Sequence, residues 1–272
     1  MARLVSVACA IALISLAAAP AWAAENTTAA SFEEVEHLFN GRDLDGFYTF
    51  LRDHGRDNDP KAVFTVEDGI LRVSGEEWGC VTTDREFENY HLIVEYRWGE
   101  ATHAPRVERA RDSGVLIHST GEDGAYGGVW QHSIECQLIE GGTGDLLVVG
   151  DDSDRFAITC PVAKARQGAS PVFDPEGEPV TIHGGRINWW GRDPEWEDVK
   201  GFRGKQDVEK PIGEWNRLEC IADGATITVI LNGVVMNKSL DTTPHKGRIQ
   251  LQSEGAEIFF RTVDVIPLAP KP

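Results

Sequence analysis

The densest chemistry in this sequence lies between Asp112 and Glu140, where two alternating runs flank a loop holding Gly121, Gly124, Gly127 and Gly128. On the second run Ser133, Glu135 and Gln137 share one face, while Ile134, Cys136 and Leu138 share the other. Successive strand side chains point to opposite sides, so one face is an apolar wall and the other carries acid and amide groups. Such groups can accept protons, donate hydrogen bonds or hold a cation. On the first run His118 alternates with Val115 and Ile117, so a paired His118 is expected on the same side as Glu135 and Gln137. This shared face is the expected active-site cleft.

Elements that would position these groups follow from the rest of the chain. Runs with period-two alternation are expected as strands at Val63–Glu67, Ile70–Ser74, Gly79–Thr83 and His91–Trp98. Near the end, Glu214–Ala222, Ala225–Leu231 and Val234–Ser239 are separated by Asp223-Gly224 and Asn232-Gly233, the pairs that close tight hairpins. Two further strands are expected over Gly247–Gln252 and Glu257–Ile266. Helical periodicity is confined to the leader, so the expected fold is all-β, an antiparallel β-sandwich of jelly-roll type.

The chain opens with Arg3, an apolar run over Leu4–Ala19 and Ala21-Trp22-Ala23, the pattern of a secretory signal peptide over residues 1–23. A short polar segment, 24–31, then leads into a single domain expected over 32–268. Removing 23 of the 272 residues leaves 249, a size that one β domain can fill. No later stretch approaches the ~18 apolar residues of a membrane span, so an exported protein, periplasmic or extracellular, is expected. The net charge of −18 becomes −19 on loss of Arg3, a field that repels nucleic acid and anionic lipid and suits neutral small molecules such as sugars, or cations. Cys80, Cys136, Cys160 and Cys220 remain after the leader, with three possible pairings and no Cys-x-x-Cys spacing for structural zinc.

Several loops carry further candidates. Arg106, Arg109 and Arg111 form a basic patch just before the central pair, a solvated loop or a set of contacts at the cleft rim. Asp151-Asp152-Ser153-Asp154 offers oxygen ligands for calcium but lacks the full calcium-loop pattern. A long insertion, 161–211, holds Trp189, Trp190 and Trp196, which would serve as an aromatic platform or pin the loop to the core.

The ordered set of motifs resembles a known family, the 3-keto-disaccharide hydrolases. The resemblance rests on Leu38-Phe39-Asn40-Gly41-Arg42-Asp43-Leu44, Ser113-Gly114-Val115-Leu116, Ile134-Glu135-Cys136-Gln137, Gly213-Glu214-Trp215-Asn216, Leu231-Asn232-Gly233, Gly247-Arg248-Ile249-Gln250-Leu251-Gln252 and Phe260-Arg261-Thr262. It implies a concanavalin A-like jelly roll acting on glycosides already oxidised at C3, by hydrolysis or elimination. In that reading Glu135 is base or metal ligand, Gln137 donates to the keto or a hydroxyl oxygen, and His118 or His132 is acid or ligand. Arg261 is the electrostatic partner, Arg111, Trp189 and Trp190 contact substrate, and Asp145 and His183 are outer candidates. A divalent ion, calcium or another, would sit on Glu135 and His118. The chain departs from the family at His118, where many relatives carry Arg, and at Thr262, where Asn is usual. Two alternatives stand beside this reading. One is a non-catalytic, lectin-like sugar-binding module, since jelly rolls serve both roles. The other is an endoglucanase-like hydrolase using Glu135 and Glu140, which needs a β-bulge to bring residues five apart onto one face.

Overall fold

Alternating side chains dominate the described residues, and they fold into nineteen strands with no helix among them; the computed structural model describes residues 34–269. The expected leader, 1–23, and the polar segment, 24–31, lie outside the described residues. In chain order the strands begin with β1 (Glu36–His37), β2 (Phe47–Leu51), β3 (Gly55–Arg56), β4 (Phe64–Glu67), β5 (Ile70–Val73) and β6 (Gly79–Thr83). The long central strands β7 (Tyr90–Thr102), β8 (Asp112–Thr120) and β9 (His132–Ile139) precede β10 (Leu146–Val149), β11 (Ala157–Val162), β12 (Glu178–Ile182) and β13 (Gly185–Ile187). The last six are β14 (Asn216–Asp223), β15 (Thr226–Leu231), β16 (Val234–Lys238), β17 (Asp241–Thr243), β18 (Arg248–Ser253) and β19 (Ala256–Pro267).

Two eight-stranded antiparallel sheets face each other as a jelly-roll sandwich. The first runs β16-β15-β14-β7-β19-β5-β4, with β1 added on β19; the second runs β13-β10-β9-β8-β18-β6-β2-β3. A small third sheet, β12-β11-β17, forms where the insertion folds back. The meander β14-β15-β16 follows the sequence expectation, with Asn232 and Gly233 at φ of 50° and 84° in the turn. Both residues must turn left-handed there, which favours Asn-Gly.

Inward side chains of both sheets form one continuous core, including Val115, Ile117, Ile134, Cys136 and Leu138 from the second sheet and Leu92, Val94, Leu218 and Cys220 from the first. The four cysteines among the described residues are buried free thiols, and contact with Cys220 together with burial pushes the Cys136 thiol up. On the outer face of the second sheet the Gly-rich loop 121–131 folds down. It packs Val129 and Trp130 on Leu116 and Cys80, a second small apolar cluster. Trp130 stacks on Trp78 with ring centroids 5.7 Å apart.

The insertion is ordered by its tryptophans. Trp189 is fully buried, meets Trp190 edge-on at 5.4 Å, and Trp190 donates its Nε1–H to Val235 O at 2.9 Å. These two residues anchor the loop to the core and offer no platform. The acidic segment 151–154 is a polar turn in which Asp151 accepts from Ser153 and Arg155.

Candidate active site

β9 runs between β8 and β10, and Glu135 stands opposite Leu116 on one side and Leu147 on the other. Its neighbour along the same face, Gln137, lies opposite Gly114. A Cβ at residue 114 would collide with Glu135 Oε1 and lie 2.6 Å from Gln252 Oε1, so a glycine is needed for the acid and the amide to converge. These residues floor a cleft of about 290 Å³ on the outer face of the second sheet. Its walls include Asp112, Glu254, Arg106 and Arg186, with Tyr126 and Trp130 from the Gly-rich loop at its side.

Electrostatics in this cleft are dominated by three carboxyls, Asp112 and Glu135 buried and Glu254 largely so, and by two guanidiniums. Arg106 pairs with Asp112 and reaches Glu254 at 3.5 Å. Arg186 is held by Asp145, a fully buried carboxylate that also pairs with Arg192 and accepts the Trp189 N–H at 2.8 Å. Burial, reinforced by the Asp112 charge and opposed by Arg186, pushes Glu135 up to about 8. Burial and the nearby Glu135 push Glu254 up to about 7, against the pull of Arg106. Burial and Glu254 raise Asp112 as well. Carboxyls crowded in a low-dielectric site cannot all ionise, so near neutral pH the cleft holds both proton donors and a proton acceptor. Asp112 Oδ1 and Gln252 Oε1 are buried without a partner, ready to receive hydrogen bonds from a ligand.

Of the residues expected from sequence, the structure brings Glu135, Gln137 and, from the basic patch, Arg106 into the cleft and places Asp145 directly behind Arg186. His118 is not there. A register shift between Ile117 and Thr120 breaks the alternation, and His118 takes a left-handed φ of 54° that turns its ring into the core. Its Nδ1 bonds Pro244 O at 2.8 Å and its ring meets Tyr90 edge-on; burial pushes its pKa down to about 4. His132 packs against Phe156 at 4.8 Å instead of facing Glu135. Arg261 projects from β19 on the opposite sheet, paired with Glu95 at 2.9 Å and lying over Trp215. Arg111 is buried in a pair with Glu140 at 2.7 Å, which also fixes Glu140 away from Glu135 and removes the two-glutamate arrangement of the endoglucanase reading. His183 sits outside the cleft, 3.6 Å from Asp154.

The donor set expected for a divalent ion, Glu135 with His118, therefore does not fit one: the two side chains lie on opposite faces of the sheet. Among the described residues no group of three His, Cys, Asp or Glu is arranged to hold a metal. Sequence reasoning passed over Asp112, Glu254, Gln252, Arg186, Tyr126 and Trp130. The alternation Gln250-Leu251-Gln252-Ser253-Glu254 carried a signal, since three outward polar positions in a row define a polar face. Arg186 carried none, because only the folded insertion brings it to β10.

A jelly roll whose outer sheet face sinks into a cleft of carboxyls, guanidiniums, amides and flanking aromatics is a carbohydrate-active protein. The sequence agrees: residues 34–266 match the model of the 3-keto-alpha-glucoside-1,2-lyase-like domain, and the chain belongs to that family. No curated protein sequence matches the chain. Among solved structures it is similar to two provisionally assigned glycosyl hydrolases from Parabacteroides distasonis ATCC 8503. One is 18% identical over 86% of this chain and 100% of that one, with a TM-score of 0.48. The other is 19% identical over 86% and 94%, with a TM-score of 0.49. A carbohydrate-binding module, CBM66 from Bacillus subtilis, is 10% identical over 80% of this chain and 93% of that one, at 0.43.

Proposed function

We propose that the protein cleaves glycosides already oxidised at C3, with Glu135 as the base that removes the C2 proton. A ketone at C3 acidifies the C2 hydrogen, and the electron pair left behind expels the C1 substituent, giving a C1=C2 enone. Water then adds to that enone if the overall outcome is hydrolysis. Glu135 suits the first step because a base is most effective when its pKa lies near the working pH. Arg106 and Arg186 supply positive charge for the enolate oxygen that develops at C3. Glu254 or Asp112, carrying a proton, would pass it to the departing oxygen. Gln137 and Gln252 would bind ring hydroxyls, and Trp130 and Tyr126 would lie against the pyranose C–H faces.

The observation that carries this reading is the burial of Glu135 on the floor of the cleft beside two further carboxyls and two guanidiniums. A positioned base contributes roughly 10²–10⁴-fold. Purified protein incubated with a 3-keto-glucoside should release the aglycone, and Glu135→Gln should lower turnover by about that factor with its melting curve still cooperative. Full activity of the variant removes Glu135 from the chemistry; binding without release favours a lectin-like role. The leader pattern of residues 1–23 supports export, so amino-terminal sequencing of mature protein should begin at Ala24.

A further inference from the structure

Arg106 reaches the cleft from a loop and meets three carboxyl groups with a single guanidinium. Its Nη2 edge pairs with Asp112 and lies 3.5 Å from Glu254, both of them cleft residues. Its Nη1 edge turns the other way and donates to Asp198 Oδ1 at 3.3 Å and to Ala110 O at 3.4 Å. Asp198 belongs to the long insertion and lies outside the cleft, its side chain 34% exposed. From this fork, and resting on the cleavage reading above, we infer that Asp198 is a positioning residue for the proton donor. By holding one edge of Arg106 it keeps Asp112 and Glu254 short of positive charge, so that one of them retains the proton the leaving group needs.

The chain around Asp198 fixes it in place. Ala110 N donates to Asp198 Oδ1 at 3.2 Å, Lys200 N donates to Glu108 O at 3.1 Å, and Lys200 Nζ donates to Thr102 Oγ1 at 3.3 Å. Segment 198–200 is thereby stitched to the loop that carries Arg106. On the other side Gly255 turns left-handed at a φ of 83°, and a Cβ there would come within 3.2 Å of Arg106 Cγ. The arginine stem packs directly on the chain beside Glu254, and its head is held between its two sets of partners.

Charge decides what this arrangement does. Facing Asp112 and Glu254 are Arg106 from the loop, Glu135 from β9 and Arg186 from β13, which Asp145 holds from behind. Arg109 lies beyond Asp198, 3.7 Å from its Oδ2. Two guanidiniums thus serve three cleft carboxyls, and Asp198 draws on one of the two. Burial and Glu254 raise Asp112, and the Asp198 charge adds to them. Arg106 opposes burial at both Asp112 and Glu254, so weakening its pull favours the proton-bearing form.

The test uses Asp198→Asn, which keeps an acceptor oxygen for Ala110 N and Arg106 and removes only the charge. Arg106 is then left to Asp112 and Glu254, which should lose their protons at lower pH. On a 3-keto-glucoside, kcat/KM of the variant should fall about twofold to fivefold on the alkaline limb of the pH profile, the worth of one partly exposed charge pair, and match wild type on the acid limb. A profile identical to wild type overturns the inference. A loss of equal size at every pH also overturns it, because a purely structural role would give that. Either result leaves the cleavage reading standing. If wild-type protein releases no aglycone, the cleavage reading falls and carboxyl-carbon NMR titration of Asp112 and Glu254 decides the role of Asp198. Midpoints that move to lower pH in Asp198→Asn support it, and midpoints that stay or rise overturn it.

Discussion

The carboxylate of Glu135 occupies the space that a side chain on Gly114 would fill, one strand away in direct register with Gln137. Gly114→Ala therefore displaces Glu135 and Gln252 without changing the identity of any group that does chemistry. Displacing a reacting group by about 1 Å can cost on the order of 10²-fold in rate, and overpacking costs about 1–3 kcal/mol. Turnover on a 3-keto-glucoside should fall by about that factor while the melting transition stays cooperative. Unchanged turnover would mean that Glu135 has freedom to relocate and that its position is not what the reaction depends on.

Asp145 holds two guanidiniums, Arg186 in the cleft wall and Arg192 behind it. Arg192, with only 6% of its side chain exposed, depends on Asp145 as its ion-pair partner, so Asp145→Asn leaves a buried charge without compensation. Breaking one side of a buried pair costs about 3–5 kcal/mol. Urea unfolding should register that loss, and the double variant Asp145→Asn/Arg192→Met should recover part of it. Additive losses in the double variant would show that the two residues do not act as a pair.

Much of this arrangement was open to reading from the residues alone, and the boundary is physical. Period two identified the strands, the Asp-Gly and Asn-Gly turns placed the meander, and the Ser133-Glu135-Gln137 face supplied two cleft residues. His118 was misplaced because a single register shift inverts every side chain beyond it, and nothing in Ile117-His118-Ser119 announces a bulge. Arg186 and Glu254 were passed over for a different reason: they reach the cleft through pairings between strands distant in the chain. Trp189 and Trp190 read equally as platform or anchor, since burial decides between the two and sequence does not carry it.

Arg261 supplies a control on which sheet holds the site. Its pair with Glu95 is partly solvent-exposed, and such pairs contribute about 0–1 kcal/mol. Arg261→Ala should leave kcat/KM within about twofold of wild type and unfolding free energy within about 1 kcal/mol. A tenfold or larger loss of kcat/KM would relocate the chemistry to the first sheet.

The raised carboxyls tie both activity and stability to pH. Ionised Glu135 is the base and a protonated carboxyl, Glu254 or Asp112, is the acid, so kcat/KM should climb as Glu135 ionises and fall again once the donor loses its proton, a bell-shaped profile. Folded Glu135 keeps a proton that the unfolded chain gives up near its ordinary value of 4.5, so the native state binds more protons in the interval between. Stability must then fall as pH rises from 4.5 to about 8, and level off beyond. Glu209, pushed up to about 8 by burial and the Asp207 charge against hydrogen bonds from Tyr96 and Trp98, and Glu254 act in the same direction. Glu135→Gln removes one of these three contributions, so its melting temperature should exceed that of wild type by a margin that widens between pH 5 and 8. Parallel melting curves for the two proteins across that range would mean that Glu135 is already ionised in the fold, and the proton-acceptor role would then rest on a carboxylate of ordinary basicity.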